Sequence, residues 1–137
     1  MKNRCSYMVL LRAAFTKIFP HLDKILNIDN DTVVKNNISE LWDIDLTDYY
    51  LAGCGEPKQS KNNFTYINMG VAMINLKKLR EDGKDEEMIE KLNTYYYPEA
   101  EQTCFNRVCQ GHILLLPNCY NATQYTIKER NTTQTKI

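Results

Sequence analysis

The chain has 137 residues, of which 43% are apolar and 25% are charged, and its 17 basic residues balance its 17 acidic residues. Because the net charge is zero, no broad electrostatic field would draw the protein onto nucleic acid, and no window approaches the roughly eighteen apolar residues of a membrane-spanning helix. We therefore expect one globular domain with its own core, no nucleic-acid partner and no membrane span.

The first third of the chain is predicted to contain a helix, a strand and two short pieces. Apolar residues recur at helical spacing over 6–19, and Pro20 ends this helix. Residues 22–28 are predicted to form a buried strand, 32–35 a short extended piece rich in β-branched residues, and 39–42 a helical turn.

The rest of the chain alternates predicted strands with predicted helices. Strands are predicted at 49–54, 66–75 and 113–116, and helices at 76–81, 86–93 and 99–110. Polar residues without periodicity predict a loop at 56–63 and a tail at 122–137. This alternation favours an α/β layered fold over an all-β or helical-bundle architecture.

The cysteine pattern argues against both a disulfide framework and a zinc site. The cysteines are odd in number, are scattered along the chain and include no Cys-x-x-Cys pair. They are Cys5, Cys54, Cys104, Cys109 and Cys119. We therefore expect a reducing, cytoplasmic location.

Two acidic residues, Asp29 and Asp31, directly follow the predicted strand 22–28. A strand holds its end rigidly, and open α/β sheets bind ligands at the carboxyl ends of their strands. Two acids at such a position supply the oxygen ligands that a hard divalent cation prefers, and the cation could bind a phosphate. The alternative is that both acids are turn residues that hydrogen-bond their own backbone.

A calcium-binding loop of the EF-hand type is excluded by the residues that follow. Asp29, Asp31 and Glu40 fall on the first, third and twelfth positions of such a loop. The fifth position is Val33, and the sixth, which needs glycine for a sharp turn, is Val34.

Ordered blocks of sequence resemble the retaining glycosyltransferases of family eight, which have the GT-A fold. These blocks are FPHLDKILNIDNDTVV (19–34), ISELWD (38–43), INMGVAMINLKKLR (67–80) and LPNCYN (116–121). The resemblance covers about residues 6–121 and is strongest to bacterial enzymes that build lipopolysaccharide or other surface glycans. It implies a partial, Rossmann-like nucleotide-diphospho-sugar transferase fold, with a mixed sheet flanked by helices.

The resemblance also implies a metal-dependent donor site around the two acids. In the family, such acids hold a divalent cation, manganese or magnesium, that bridges the diphosphate of a UDP-sugar. By resemblance, Asp29 and Asp31 are metal ligands, and Asn30 between them belongs to the donor-binding turn. Arg12 resembles the arginine that contacts the donor sugar or phosphate, with a solvated helix cation as the alternative.

Further donor-site roles are implied in the second half of the chain. Asn68 resembles the asparagine that reaches the donor sugar, with Gly70 allowing a close backbone approach behind it. Glu101 and Gln102 stand where the family usually has Asp-Gln, which implies that Gln102 is a catalytic residue near the anomeric carbon. Glu101 would orient sugar hydroxyls, and its extra methylene changes how the sugar is positioned. A structural turn and helix-surface polar residues are the alternatives.

Aromatic residues and histidines have weaker functional signals. The tyrosines at 49, 50 and 95–97 could stack on a sugar, but aromatic residues most often belong to the core, and we predict a core position for Trp42. Neither His21 nor His112 has metal-ligand spacing from Asp29, so neither is assigned to the metal.

The comparison with the family pattern also predicts the domain organisation. Residues 1–121 are expected to be the central part of a GT-A domain, without its N-terminal nucleotide-cradling unit and its C-terminal segment with a metal-binding histidine. Residues 122–137 are expected to be a polar tail. Complementary segments are then missing, and we expect this chain on its own to be poorly active.

The functional hypothesis is a metal-dependent retaining hexosyltransferase. It would move glucose or galactose from UDP onto a glycan acceptor in lipopolysaccharide or surface-glycan synthesis, in one step or through a covalent intermediate. The alternative is a non-catalytic fragment that binds a glycan or a partner, in which Asp29 and Asp31 are turn residues. Manganese-dependent UDP binding separates the two hypotheses.

Overall fold

A mixed four-stranded sheet is the centre of the fold. The computed structural model describes residues 11–56 and 63–123. The strands are β1 (Lys24–Ile28), β2 (Leu51–Gly55), β3 (Ile67–Asn75) and β4 (Ile113–Leu116), in the spatial order β1-β3-β2-β4. Strand β3 pairs antiparallel with both β1 and β2, whereas β2 and β4 are parallel. The predicted mixed sheet is confirmed.

The helices are short and follow the strands. Helix α1 (Phe15–Ile18) continues a 3-10 turn at Leu11–Ala14, and the later helices are α2 (Leu76–Glu81), α3 (Lys84–Thr94) and α4 (Ala100–Val108). Further 3-10 turns lie at Ser39–Leu41 and Asn118–Tyr120. The α/β fold predicted from the alternating pattern is confirmed, and no described helix is long and apolar enough to cross a membrane.

Strand β3 is buried on both faces, which explains its continuous apolar run Val71 to Ile74. Ala72 and Ile74 pack into a cluster with the helices, whereas Val71 and Met73 pack into a second cluster on the other face. A strand covered on both faces gains hydrophobic stabilisation from successive residues rather than alternate ones.

Local capping signals determine where α2 and α3 meet. The Asn75 side chain accepts a hydrogen bond of 2.9 Å from Lys78 N and so caps the start of α2. Gly83 has φ of +64°, a left-handed conformation that glycine adopts without the steric cost of a Cβ atom. The predicted interruption between the two helices is therefore confirmed.

Several predicted boundaries differ from the structure. In the predicted helix 6–19, residues 11–18 are helical, with a first turn of the tighter 3-10 type, and residues 6–10 lie outside the described part of the chain. Residues 32–35 form no strand, since both of their valines are exposed and have no apolar surface to cover. Most of the predicted loop 56–63 and of the predicted tail 122–137 also lies outside the described residues.

The predicted core position of Trp42 is wrong. Trp42 is 50% exposed, whereas its neighbour Leu41 is fully buried. In this 3-10 turn the inward position belongs to Leu41, and the ammonium of Lys24 lies 5.0 Å from the centre of the Trp42 ring. The tyrosines divide in the same way, with Tyr50 and Tyr97 buried and Tyr95 and Tyr96 exposed.

Candidate functional site

The carboxyl end of β1 places Asp29 at the rim of the sheet. Its backbone N–H donates to the carbonyl of Gly70 on β3 at 2.7 Å, and Thr32 N donates to the Asp29 carbonyl at 3.2 Å, which closes a turn. The Asp29 side chain is 38% exposed, and Asn30 and Asp31 are exposed on the same turn. Both predicted metal ligands are therefore accessible to solvent.

Gly70 is required because side chains of the site lie against its Cα. A Cβ atom at this position would lie 2.8 Å from Asn68 Oδ1 and 3.0 Å from Asp29 Oδ2. The close backbone approach expected near Asn68 is therefore present, although β3 continues through Gly70 without a break.

Arg12 bridges two carboxylates and is not a solvated helix cation. Its Nη2 lies 2.5 Å from Asp29 Oδ1, and its Nη1 lies 3.2 Å from Glu101 Oε1. Nη1 also donates to the carbonyl of Met69 at 3.4 Å, and the arginine side chain is only 14% exposed. One guanidinium thus joins the end of β1, strand β3 and helix α4.

Glu101 is a buried acid with an unused oxygen. Its side chain is 2% exposed, and among the described residues its Oε2 has no hydrogen-bond donor. Burial raises the pKa of Glu101, and the positive charge of Arg12 opposes this rise. A buried oxygen without a partner is uncommon in proteins, and a ligand hydroxyl could satisfy it.

The raised pKa of Glu101 predicts a pH-dependent stability. The folded state favours the protonated form of Glu101. The stability that this group contributes, measured against Glu101→Gln, is therefore complete below the ordinary glutamate pKa of 4.5. It is lost as the pH rises through the raised pKa of the folded state. Urea unfolding of the metal-free protein from about pH 4 to pH 8 measures this difference. The exposed Glu90→Gln variant is the control, and a pH-independent difference for Glu101→Gln would contradict the prediction.

The Asn68 side chain forms hydrogen bonds with three other residues at the rim of the sheet. Its Oδ1 accepts from Gly70 N at 2.8 Å and from Asn121 Nδ2 at 2.9 Å, and its Nδ2 donates to Glu56 Oε1 at 2.6 Å. Sequence reasoning missed Glu56 and Asn121. The LPNCYN block that ends at Asn121 was a visible signal, but no role could be assigned to it without the fold.

Gln102 is held against the backbone of β3. Its Oε1 accepts from Met69 N at 2.9 Å, and its Nε2 lies 3.4 Å from Tyr66 Oη and 3.3 Å from Glu99 Oε2. The structure therefore brings Gln102, Glu101 and Arg12 together around Met69 and fixes the orientation of the Gln102 amide.

Two more amides continue this pairing, Asn106 on helix α4 and Gln110 just after its end. Asn106 Oδ1 accepts from Ile67 N at 2.7 Å and Asn106 Nδ2 donates to Ile67 O at 2.9 Å, while Gln110 pairs in the same way with Thr65. Amides spaced by four residues, along α4 and the turn after it, thus meet backbone groups spaced by two, along β3 and the segment before it. The four-residue spacing of Gln102, Asn106 and Gln110 is visible in the sequence, but their pairing with a neighbouring strand was not predicted from it.

Asp29 and Asp31 fit part of a divalent-cation site. Both supply accessible carboxylate oxygens, the donor type that manganese and magnesium prefer. Within residues 11–56 and 63–123, no group of three or more His, Cys, Asp and Glu side chains could hold a metal ion. Because magnesium-type cations keep several waters and bind substrate phosphates, two protein carboxylates are a sufficient donor set.

Curated relatives of this chain are glycosyltransferases. The chain is similar to the lipopolysaccharide 1,2-glucosyltransferase of Escherichia coli (strain K12), with 33% identity over 141 residues that cover 92% of this chain and 40% of that protein. It is 29% identical to the glycosyltransferase GlyA of Streptococcus pneumoniae serotype 4, over 88% of this chain and 18% of that protein. The chain thus spans less than half of the length of these relatives.

Solved structures and a family profile agree with these relatives. The bifunctional glycosyltransferase WbbM superposes with a TM-score of 0.77 at 21% identity, covering 87% of this chain and 26% of that one. The galactosyltransferase LgtC, solved with donor and acceptor sugar analogues, superposes with a TM-score of 0.72 at 23% identity. The superposition covers 94% of this chain and 52% of that one. These likenesses show the GT-A fold. Because the profile of glycosyl transferase family 8 matches residues 1–137, the chain belongs to that family.

Proposed function

We propose that this chain carries the donor-sugar site of a metal-dependent retaining hexosyltransferase that uses UDP-glucose or UDP-galactose. The observation that carries the proposal is the cluster at the sheet rim, where Arg12 joins Asp29 to the buried Glu101 beside Gln102. Family membership and the lipopolysaccharide glucosyltransferase among the relatives support a surface-glycan acceptor. The buried free cysteines support the cytoplasm as its location.

In this proposal Asp29 and Asp31 would hold manganese or magnesium, which would supply positive charge for the diphosphate of the donor. When bound, the cation stabilises the negative charge that develops on UDP as the sugar–phosphate bond breaks. Arg12 contributes a second positive charge next to Asp29 and orients this carboxylate. Asn30 lies on the exposed turn between the two acids, where its backbone and amide can contact the donor.

The sugar of the donor would lie over Glu101, Gln102 and Asn68. The unused Oε2 of Glu101 accepts a hydrogen bond from a sugar hydroxyl, which removes the cost of leaving that oxygen buried without a partner. The Gln102 amide, fixed by Met69 N, positions the anomeric carbon. An acceptor hydroxyl then forms the new glycosidic bond, the electron pair of the broken bond leaves with UDP, and the hydroxyl proton passes to UDP or water.

Calorimetric titration of the chain with UDP tests this proposal. We expect UDP binding that requires manganese, and we expect Asp31→Asn to weaken it by about tenfold or more, since one anionic ligand of the cation is lost. Asp48→Asn is the matched control, because Asp48 is also exposed but does not belong to the rim cluster. The proposal fails if manganese has no effect on UDP binding, or if both variants bind alike.

Two observations favour the non-catalytic alternative as a second candidate. Arg12 already occupies one oxygen of Asp29, and both the oxygen and the nitrogen of the Asn68 amide are engaged by protein groups. In a binding fragment these contacts would be purely structural. Absence of manganese-dependent UDP binding, together with unchanged unfolding of Asp31→Asn, would favour this candidate.

A further inference from the structure

The Gln102 amide meets protein groups at both of its ends. Its Oε1 accepts from Met69 N at 2.9 Å, and its Nε2 lies 3.3 Å from Glu99 Oε2 and 3.4 Å from Tyr66 Oη. A backbone N–H can only donate, so the amide atom that faces Met69 N is the oxygen. Rotation of the amide by half a turn would bring two donors together at Met69 and place the amide oxygen against the Glu99 carboxylate. The surrounding groups therefore select one orientation of the amide.

The Tyr66 hydroxyl connects Glu99 with Gln102. It donates to Glu99 Oε2 at 2.5 Å, so its oxygen offers lone pairs to Gln102 Nε2 and to the Thr103 hydroxyl, which lies 3.0 Å away. Burial, together with the hydrogen bond to Glu99, raises the pKa of Tyr66 to about 12. The hydroxyl thus keeps its proton at neutral pH and continues to donate to the carboxylate.

The Met69 peptide joins this network to the candidate donor site. Tyr66 lies immediately before β3, and Gln102 lies in the first turn of α4. Met69 is on β3 between them, and its carbonyl accepts from Arg12 Nη1 at 3.4 Å and from Asn27 Nδ2 at 2.7 Å. One peptide unit therefore holds the Gln102 amide on its N–H side and the Arg12 guanidinium on its C=O side.

We propose that Tyr66 and Glu99 are positioning residues for sugar transfer, and that they act by holding the Gln102 amide in one orientation at the donor sugar. This inference rests on the proposed transferase function, in which Gln102 positions the anomeric carbon. Tyr66 and Glu99 act through Gln102 and do not themselves contact the donor. A rotated amide would present a donor where the sugar meets an acceptor, so its loss of order affects the sugar and not the UDP group.

Tyr50 is a matched tyrosine that lies away from the site. Its Oη donates to Asp82 Oδ2 at 2.8 Å, it is 5% exposed, and burial together with Asp82 raises its pKa to about 12. The Tyr50 carbonyl accepts from Asn75 N, and Asn75 pairs with Lys24 at the end of β1 opposite to Asp29. Tyr66→Phe and Tyr50→Phe therefore remove the same kind of hydrogen bond, but only one of them touches Gln102.

Nuclear magnetic resonance of the full chain, without metal or nucleotide, tests whether the amide is held. Because Gln102 Oε1 accepts the Met69 N–H, hydrogen exchange at Met69 reports the orientation of the amide. We expect Tyr66→Phe to speed this exchange about tenfold relative to the other amides of β3, since about one hydrogen bond is lost. We expect Tyr50→Phe to leave the relative exchange rate unchanged.

Calorimetric titration in the presence of manganese tests whether the orientation matters for the donor. UDP-glucose and UDP-galactose are each compared with UDP alone. We expect Tyr66→Phe to weaken binding of the preferred UDP-sugar about threefold to tenfold and to leave UDP binding unchanged, since only the sugar meets Gln102. We expect Tyr50→Phe to change neither affinity.

Variants of Glu99 separate its carboxylate from its place in the chain. Glu99 is exposed and directly precedes α4, and its side chain makes no capping hydrogen bond, so Glu99→Ala should fold normally. We expect Glu99→Ala to act like Tyr66→Phe, whereas Glu99→Gln keeps an acceptor oxygen and should restore most of the sugar-dependent affinity. Glu90→Ala removes an exposed acid elsewhere and should have no effect.

Three outcomes would overturn the inference. Relative exchange at Met69 that rises no more in Tyr66→Phe than in Tyr50→Phe would show that Tyr66 does not hold the amide. Equal effects of Tyr66→Phe on UDP and UDP-sugar binding, or equal affinities of the unchanged chain for both, would show that the network only supports the fold.

Failure of the transferase proposal gives a different result. It appears as the absence of manganese-dependent UDP binding by the unchanged chain. In that case the effect of Tyr66→Phe on exchange at Met69 would persist, but the role of Tyr66 and Glu99 in sugar positioning would be wrong.

Discussion

Asn106→Leu is expected to lower the free energy of unfolding by about 3–5 kcal/mol, a large fraction of the stability of a domain this size. Asn106 is fully buried, and its amide hydrogen-bonds both the N–H and the C=O of Ile67. Leucine has a similar volume but leaves both backbone groups buried without partners, and each such group costs about 1–3 kcal/mol. Urea unfolding followed by circular dichroism measures the change.

Gln110→Leu is the matched control for this experiment. Gln110 makes the same pair of contacts with Thr65, but its side chain is partly exposed. Water can therefore replace the lost hydrogen bonds, and we expect a loss of about 1 kcal/mol. A loss for Asn106→Leu no larger than for Gln110→Leu would show that burial of these amides does not determine their contribution.

Arg12→Met is expected to have the second large effect, with a loss of about 3–5 kcal/mol at neutral pH. The substitution keeps the apolar stem but removes the charge that compensates Glu101, which is 2% exposed. An unpaired buried carboxylate is strongly destabilising unless it takes up a proton. We therefore expect the double variant Arg12→Met with Glu101→Gln to recover part of the loss, which a double-mutant cycle measures.

Lys17→Met is the control for the arginine variant. Lys17 and Glu86 form an ion pair of 3.0 Å, but their side chains are 53% and 74% exposed. Exposed pairs of this kind contribute little to stability, so little change is expected. Two results would contradict the prediction that Arg12 stabilises the buried charge of Glu101. One is a loss of stability for Arg12→Met no larger than for Lys17→Met, and the other is no recovery of stability when Glu101→Gln is added to Arg12→Met.

Helix α4 shows why the roles of individual polar residues were harder to predict than the helix itself. The helical pattern over 99–110 predicted the element, and the structure has it at Ala100–Val108. Of its polar residues only Glu101 and Gln102 were interpreted, either as donor-site groups or as helix-surface polar residues. The structure shows a third role for Asn106, because the helix lies across β3 and its amides complete the hydrogen bonding of that strand.

Local sequence determined the elements and their order. The apolar run before Asp29, the continuous apolar run of β3 and the Asn75 and Gly83 signals around α2 act through neighbouring residues, so they are readable without the fold. Gly70 is only partly explained by local sequence, because Asn68 is its near neighbour in the chain whereas Asp29, the other side chain against it, follows β1. The motif blocks, whose order along the chain is itself a sequence property, were sufficient to indicate the family.

Only the tertiary structure decided which side chains meet. The pairing of Arg12 with Glu101 joins residues 89 positions apart, and the contact between Asn68 and Asn121 joins residues 53 positions apart. Such contacts depend on how the strands and α4 pack, as does the exposure of Trp42 once Leu41 occupies the core. Burial and long-range pairing are properties of the packed molecule, and they determine which polar groups are charged, satisfied or free to bind a ligand.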